Sequence, residues 1–249
     1  MSAASTDVHA ARVVADPLRA ARLPADPVRA DDAAAVVLAG GRARRLGGID
    51  KTALARGGVS LLDDAVRAAG GCARVVVVGT GNRPGGRTDG AWRRAGSVRL
   101  VDEVPAHGGP TAALAAGVGA LDPDALPEWV LVLAADLADA PDAVRALLPL
   151  RQDAGLADGR DAIVARDPDG RAQPLLALYR AAPLVAALET IDRATGVDGV
   201  ALRRLLDALG ADRVAHADLP ARLCADVDTP DDARAHRLRL PDDRIPDAR

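Results

Sequence analysis

The sequence VVLAGGRARRLGGIDKTAL, residues 36–54, joins an apolar run to a loop rich in glycine and arginine. The run 33–38 carries no polar side chain, which predicts a strand that is buried on both faces. Gly40 and Gly41 follow it, and glycine lets backbone N–H groups approach a ligand closely because it lacks Cβ. Four cationic side chains then fall within ten residues: Arg42, Arg44, Arg45 and Lys51. Together these features predict a phosphate site, with a solvated basic turn as the alternative.

Two common phosphate-binding motifs do not fit this loop. A P-loop requires Gly-Lys-Ser/Thr, whereas Asp50 precedes Lys51 and Thr52 here. The dinucleotide fingerprint G-x-G-x-x-G is absent as well, because a later candidate at 79–81 has Pro84 in place of the third glycine. The loop therefore belongs to another class of phosphate site.

The rest of the chain alternates strand and helix patterns. We predict strands at 33–38, 74–78, 97–101 and 129–134, and helices at 61–69, at 111–121 and from Pro141. A β-hairpin arm (161–166 with 173–179), helices at 184–191 and 200–209, and a helix capped by Thr229 complete the pattern. This order predicts one Rossmann-like three-layer α/β/α domain with a mostly parallel sheet. We assign residues 1–31 to a largely disordered leader, 32–237 to the domain and 238–249 to a charged tail.

Carboxylates follow several of the predicted strands. In parallel sheets ligands bind beyond the carboxyl ends of the strands, where Asp102 and Asp136 are placed. Asp136 follows a wholly apolar strand and is our candidate ligand for magnesium; the alternative role, capping the next helix, suits Asp139 better. Asp228 is the second candidate, and Asp226 alternates with it, so we expect the two to point apart. Acids before a helix start can also be caps only.

Composition narrows the range of functions. The net charge of −3 argues against a general nucleic-acid binder, which would carry a basic excess. Aromatic residues make up 1% of the chain, so we expect base recognition to use backbone and carboxylate hydrogen bonds instead of stacking. Cys72 and Cys224 lack metal-site spacing and are predicted to be reduced and buried. With no apolar run of membrane length and no signal core, a cytoplasmic protein without membrane contact is expected.

The glycine loop resembles a known signature. Residues 38–51 are similar to the L-A-G-G-x-x-x-R-M-G-G-x-D-K signature of the molybdenum cofactor guanylyltransferases, with Leu46 at the usual Met position. These enzymes are nucleotidyltransferases of the nucleotide-diphospho-sugar transferase fold. The resemblance covers about residues 33–237, because the segments V-D-E, G-G-P, A-A-D, Q-P and D-x-D-T-P follow in the same order.

The resemblance implies an activity and a set of site residues. The implied activity is transfer of GMP from GTP to molybdenum-molybdopterin, which forms the guanine dinucleotide cofactor and releases pyrophosphate, with Mg2+ as cofactor. The implied catalytic residues are Arg45, Lys51 and Asp136, and the implied metal ligands are Asp136 and Asp228. The implied nucleotide-binding residues are Leu38, Ala39, Gly40, Gly41, Lys51, Asn82, Asp102, Gly109, Pro110 and Asp136. The implied pterin-side residues are Gln173, Pro174 and Asp226.

Several alternatives stay open. Gln173 can be an ordinary polar residue of a hairpin strand, and His107 reads as a solvated loop histidine without a role. The aspartates of D-x-D-T-P (226–230) resemble the cytidylyltransferases of the same pterin pathway, so CTP is the alternative donor. Transfer to a sugar phosphate and a nucleotide-binding module without turnover are further alternatives. The expected partners are the nucleotide, a molybdopterin-type acceptor and, transiently, proteins of molybdoenzyme maturation.

Overall fold

A computed structural model describes residues 12–14, 28–40, 51–79, 97–103 and 107–239. In this part of the chain the strands are β1 (Arg12–Val14), β2 (Ala30–Leu38), β3 (Ala55–Arg56), β4 (Val59–Ser60), β5 (Cys72–Val78), β6 (Val98–Val101), β7 (Trp129–Ala134), β8 (Ala162–Arg166), β9 (Ala172–Arg180) and β10 (Val214–Asp218). The helices are α1 (Leu61–Ala69), α2 (Pro110–Gly119), α3 (Ala140–Leu147), α4 (Ala154–Ala157), α5 (Ala181–Thr195), α6 (Arg203–Leu209) and α7 (Pro230–Ala235).

An eight-stranded sheet in the order β1-β10-β8-β9-β7-β2-β5-β6 forms the middle layer. All of its strands are parallel except β9, which runs antiparallel to both β7 and β8. β3 and β4 form a separate two-stranded hairpin. One face of the sheet packs against α1, α3 and α4, and the other against α2, α5 and α6. The predicted three-layer, mostly parallel architecture is therefore confirmed.

Strand β2 is longer than its apolar run. It begins at Ala30, and a register shift against β5 between Ala30 and Ala34 accommodates the extra residues. Asp32 is tolerated in this strand because the buried guanidinium of Arg151 donates from Nε to both of its carboxylate oxygens at 3.0 Å. The apolar run 33–38 is the continuously buried part of β2. The ion pair of Asp32 with Arg151 lets the strand continue before this run.

Local capping signals in the sequence are confirmed at two helices. Ser60 caps α1, accepting from the Asp63 backbone N–H at 3.1 Å. At α7, Thr229 and Asp232 form a reciprocal capping box with Pro230 in the first turn.

The predicted hairpin of β8 and β9 is present, and both strands belong to the main sheet. β9 lies between β7 and β8, and its residues 176–179 are buried. Because β9 is antiparallel, its first residues lie at the same edge of the sheet as the carboxyl ends of the parallel strands. Gln173 and Pro174 are thereby placed at that edge.

Only residues 12–14 and 28–31 of the predicted leader are described. Residues 12–14 form β1, which pairs with β10 at the edge of the sheet, and Ala30, the first residue of β2, pairs with Cys72 of β5. The boundaries at 31 and 237 therefore stay predictions. Among the described residues, no helix has the length and apolar character needed to cross a membrane.

Candidate active site

Lys51 and two aspartates meet at the carboxyl edge of the sheet. Lys51 lies in a short 3-10 turn (Lys51–Ala53), and its Nζ donates to Asp228 Oδ1. The same Nζ lies 3.8 Å from Asp136 Oδ2. The side chains of Lys51 and Asp136 are 18% and 28% exposed, so these two residues are only partly open to solvent.

Backbone pairing brings the two aspartates together. After β7 the chain continues through Asp136, and residues 136–138 pair antiparallel with residues 225–227. The Val227 N–H donates to the Asp136 carbonyl at 3.0 Å, and the Ala138 N–H donates to the Ala225 carbonyl at 2.9 Å. The D-x-D segment is thereby fixed beside the end of the central strand β7, although it is distant in sequence.

The start of α7 then fixes Asp228. Asp232 Oδ2 accepts from the backbone N–H groups of Asp228 at 3.1 Å and Thr229 at 2.8 Å. The predicted helix start at Thr229 therefore also holds Asp228, a candidate metal ligand, in position. Asp228 itself does not cap the helix, because Thr229 and Asp232 form the capping box.

The carboxylates repel one another. Burial, followed in size by the charges of Asp136 and Asp228, raises the pKa of Asp226 to about 7, and Lys51 partly opposes this. Burial also raises the pKa of Asp136, with Lys51 acting in the opposite direction and Asp228 adding to the rise. The charge of Asp226 thus interacts with those of the other two acids, although Asp226 itself is exposed. Such a cluster favours binding of a cation.

A cleft of about 420 Å³ opens beside this cluster. Predicted nucleotide-binding residues that line it are Leu38, Gly40, Gly109, Pro110 and Asp136. The other lining residues are Glu103, His107, Ala113, Ala134 and Leu175. Five predicted residues from three separate segments therefore line one cleft, at the edge where ligands of parallel sheets bind.

Two glycines with positive φ, Gly109 in the cleft wall and Gly79 packed against Gly40, set the backbone around the cleft. Gly79, at the end of β5, has φ of 92°, and a Cβ there would stand 2.9 Å from the Gly40 backbone nitrogen. Gly109 has φ of 88° and precedes α2, with Pro110 in the first turn. Neighbouring backbone holds this turn in place, since the Gly199 N–H donates to the Gly108 carbonyl at 2.8 Å. Glycine is needed at these points for close approach and positive φ.

Other predicted site residues are placed as follows. Ala39 is buried directly after β2. Asp102 is exposed at the end of β6, and the next residue, Glu103, lines the cleft instead. The Gln173 amide donates to Asp167 Oδ2 at 3.1 Å, within the hairpin, and the Pro174 carbonyl accepts from the Tyr179 hydroxyl at 2.9 Å. Gly41, Arg45 and Asn82 lie outside the described residues.

Sequence reasoning missed Glu103, Leu175 and the contribution of His107 to the cleft. Glu103 was visible only as part of V-D-E, where Asp102, directly after the strand, was the acid chosen. Leu175 follows Gln-Pro where β9 bulges away from β8, a register change that leaves no mark in the sequence. His107, though mostly exposed, lines the cleft at a φ of 64°.

The residues present suit a magnesium ion that also binds substrate phosphates. Within the described part of the chain, no group of three or more His, Cys, Asp or Glu side chains is arranged to hold a metal by itself. Magnesium in nucleotide enzymes commonly takes one or two carboxylates and completes its shell with phosphate and water. Asp136 and Asp228 both form ion pairs with the Lys51 ammonium group, so their carboxylates lie on the same side of the site. They are the two carboxylates that such an ion would use.

Comparison with known proteins gives a consistent result. The model of the MobA-like NTP transferase domain family matches residues 35–214. No curated protein matches the chain.

Solved structures share the fold at low sequence identity. One similar structure is Rv0371c from Mycobacterium tuberculosis H37Rv, at 22% identity and TM-score 0.56, covering 82% of this chain and 96% of that one. Another is molybdopterin-guanine dinucleotide biosynthesis protein A from Archaeoglobus fulgidus, at 20% identity and TM-score 0.55, with coverage of 82% and 96%. A third is the 2-C-methyl-D-erythritol 4-phosphate cytidylyltransferase of Francisella tularensis, at 14% identity and TM-score 0.61, with coverage of 82% and 98%. The predicted nucleotide-diphospho-sugar transferase fold is thus confirmed.

Proposed function

The chain belongs to the MobA-like NTP transferase family, and from that premise we propose that it transfers GMP from GTP to molybdenum-molybdopterin with release of pyrophosphate. Nucleotidyl transfer is the activity of the family. The choice of GTP and of the pterin acceptor is our proposal. It is supported by the glycine loop, whose sequence resembles the guanylyltransferase signature, and by the likeness to the Archaeoglobus protein.

The observation that carries the proposal is the contact of Lys51 with Asp228 and with Asp136, which lines the cleft. A lysine ammonium provides positive charge for phosphates, and a pair of carboxylates provides ligands for the divalent cation that accompanies a triphosphate. The glycine-rich wall at Gly40 provides room for the phosphates to approach backbone.

The reaction is limited by charge. A triphosphate carries about four negative charges, and the attacking group is itself a phosphate monoester, so the two repel each other. An oxygen of the acceptor phosphate forms a bond to the α-phosphorus of GTP, and the bond from that phosphorus to the bridging oxygen breaks. The electron pair leaves with pyrophosphate. Because the acceptor phosphate is already ionised at neutral pH, no strong general base is required.

Protein charges then lower the barrier. Lys51 neutralises charge on the phosphates and on the departing pyrophosphate, while the carboxylates of Asp136 and Asp228 would hold Mg2+. When bound, Mg2+ supplies further positive charge on the phosphate oxygens. Arg45, on the glycine loop, is expected to add a cation; it lies outside the described residues.

The acceptor is expected at the end of the cleft formed by the start of β9. Leu175 lines the cleft there, directly after Gln173 and Pro174. Asp226 pairs through its backbone with Leu137, directly after Asp136, and its charge interacts with that of Asp136. These neighbours support our assignment of Gln173, Pro174 and Asp226 to the pterin side.

CTP is the second candidate donor, favoured by one specific observation. The segment beside Asp136 is D-x-D-T-P, the form that resembles cytidylyltransferases, and the Francisella structure with this fold is a cytidylyltransferase. The acceptor would again be the pterin or, more distantly, a sugar phosphate.

An acceptor screen tests the proposal. Purified protein is incubated with Mg2+, either GTP or CTP, and molybdenum-molybdopterin or a sugar phosphate, and pyrophosphate release is followed. We expect release only with GTP and the pterin together. Release with CTP would show that CTP is the donor, and release with a sugar phosphate would show that the acceptor is a sugar phosphate. If nucleotide binds but no combination releases pyrophosphate, the proposed transfer is wrong.

A further inference from the structure

We propose that residues 237–239, which follow α7, form a clasp that positions Lys51 for the nucleotide phosphates, with Leu238 as its anchoring residue. The proposal deepens the function inferred above and rests on Lys51 being part of the nucleotide site. It assigns a part in the site to a leucine side chain and to backbone groups, which carry no charge for phosphates or metal.

The chain turns back sharply at the end of α7. Arg237 has a φ of 55°, a left-handed conformation that glycine or asparagine usually adopts at this point of a helix end. The Arg237 N–H donates to the Arg234 carbonyl at 3.0 Å, and the Leu238 N–H donates to the Ala233 carbonyl at 2.8 Å. These two bonds form a Schellman motif, in which the residue after the left-handed one packs against the last turns of the helix. Leu238 is accordingly buried, although the residues on both sides of it are exposed.

Leu238 belongs to a small apolar cluster that is separate from the two large core clusters. Among the described residues this cluster consists of Leu54, Leu61, Ala138, Val227, Ala233 and Leu238. Three of its members come from the segments that carry the candidate site: one follows Lys51 by three residues, one follows Asp136 by two, and one directly precedes Asp228. The cluster therefore packs the three site segments together, and α7 and the clasp complete it.

Backbone pairing ties the clasp to the chain that follows Lys51. The Arg239 N–H donates to the Ala55 carbonyl at 2.8 Å, and the Ala55 N–H donates to the Arg239 carbonyl at 3.3 Å. Ala55 is the first residue of β3, and the N–H of Leu54 before it donates to the Lys51 carbonyl at 3.1 Å. Two successive contacts therefore connect Arg239 to the turn that carries Lys51.

The position of Lys51 depends on support from outside its own turn. This 3-10 turn is only three residues long, so its packing and its bonds to neighbouring segments decide where it lies. A second attachment acts on the next residue of β3, because Arg56 donates to Asp139 Oδ1 and to the Ala138 carbonyl, both at 3.2 Å. The clasp thus holds the first residue of β3, and the Arg56 contacts hold the second.

A double-mutant cycle with Lys51 tests the proposal in the full chain. MgGTP is titrated by calorimetry into wild-type protein, Leu238→Ala, Lys51→Met and the double variant. We expect Leu238→Ala to weaken binding about tenfold, because the ammonium group is no longer held in place. In the Lys51→Met background the same change should alter the affinity less than about twofold, because Leu238 acts through Lys51. Leu238→Met, which fills a similar volume, should bind MgGTP like wild type.

The matched control for lost packing is Leu209→Ala, at the end of α6 in one of the large core clusters. Leu238 and Leu209 are similarly buried, at 7% and 9% exposure, so both alanine variants should lower the Tm. Only Leu238→Ala should weaken MgGTP binding.

A second pair of variants tests the backbone part of the clasp without nucleotide. Arg239→Pro removes the N–H that bonds to Ala55, whereas Arg239→Ala keeps it and changes only an exposed side chain. We expect hydrogen exchange of the Leu54 N–H, which bonds to the Lys51 carbonyl, to be at least about tenfold faster in Arg239→Pro and unchanged in Arg239→Ala. Exchange at Leu131 in β7 should be the same in all three proteins.

Four results would each overturn the proposal. They are wild-type MgGTP affinity in Leu238→Ala, an equal loss of affinity in Leu209→Ala, an undiminished effect of Leu238→Ala in the Lys51→Met background, and unchanged Leu54 exchange in Arg239→Pro. Should Leu238→Ala fail to fold, Arg239→Pro takes its place in the cycle with the same expectations. If wild-type protein binds no MgGTP while Leu54 exchange responds as expected, the proposed function fails and the attachment of the Lys51 turn to the clasp stands.

Discussion

Lys51 Nζ lies 3.8 Å from Asp136 Oδ2, so the cation after the glycine loop and the acid after the central strand β7 act on the same point in space. Asp228 completes the contact by accepting a hydrogen bond from the same ammonium group. This arrangement places Lys51, which follows the predicted phosphate-binding loop, beside the candidate metal ligands, and most of our predictions follow from it.

Replacing Lys51 should weaken nucleotide binding. Lys51→Met removes the positive charge and leaves Asp136 and Asp228 facing each other, so MgGTP binding should weaken about tenfold or more. Titration calorimetry measures the change. Arg67→Met is the control, because it removes a cation that pairs with Asp64 on the exposed surface of α1. If Lys51→Met binds MgGTP as tightly as wild-type protein, Lys51 is not part of the nucleotide site.

Replacing Asp228 should change the magnesium requirement. Asp228→Asn keeps the size of the side chain but removes the negative charge, so the Mg2+ concentration for half-maximal pyrophosphate release should rise about tenfold or more. The measurement is a magnesium titration at saturating nucleotide. Asp231→Asn, three residues on and highly exposed, should leave the titration unchanged. A shift of the same size in both variants would show a general effect of charge.

Asp232 should act as a positioning residue whose effect depends on pH. Asp232→Ala removes the acceptor of the Asp228 and Thr229 N–H groups and should cost about 1 kcal/mol of unfolding free energy. Hydrogen bonds from Thr229 lower the pKa of Asp232 below 3.8, so its stabilisation is complete above that pH and is lost as the pH falls through the lower folded value.

Thermal unfolding of Asp232→Ala and wild-type protein between pH 7 and pH 2 measures this effect. The difference in Tm should be constant near neutrality and should shrink in acid. A difference that persists at pH 2 would contradict the assignment. The variant should also raise the Mg2+ requirement, because Asp228 loses its anchor, and Asp231→Ala should do neither.

The thiols of Cys72 and Cys224 should be protected in the folded protein. Burial raises the pKa of Cys72 to about 12 and that of Cys224 to about 11, from an ordinary value of 9.0. A thiol reagent at pH 8 should therefore react slowly with native protein and should titrate two thiols in denaturant. Because the pKa of each thiol is higher in the folded protein than in the unfolded chain, the neutral thiols contribute fully to stability below pH 9.0. This contribution is lost as the pH rises toward 11 and 12. Rapid reaction of native protein would contradict this burial.

The sequence predicted most of the fold because the core is aliphatic and its patterns are regular. The apolar segment Trp129–Ala134 forms β7 with the predicted bounds, and the stripe on α1 is buried as expected. β1 was not predicted, since three residues at a sheet edge give no periodicity. The placement of β9 inside the sheet depends on pairing with two distant strands, which local patterns do not record.

The sequence predicted that Lys51, Asp136 and Asp228 act together on one magnesium nucleotide, but not the backbone pairing that brings them together. The positions of Asp136 and the turn at Gly109 followed from strand ends and turn residues. The meeting of Asp136 with Asp228 depends on backbone pairing between residues 136–138 and 225–227, for which the sequence has no signature. Glu103 was hidden because only the reach of its side chain toward Gly40 distinguishes it from Asp102.

The most direct test of the central claim is the affinity of Asp136→Asn for MgGTP, measured by calorimetry with and without Mg2+. Asp124→Asn, an exposed aspartate ahead of β7, is the matched control. We predict that wild type and Asp124→Asn bind GTP at least about tenfold more tightly with Mg2+, and that Asp136→Asn binds at least about tenfold more weakly and loses this dependence. Wild-type affinity and an unchanged magnesium dependence in Asp136→Asn would contradict the claim that Lys51, Asp136 and Asp228 together bind a magnesium nucleotide.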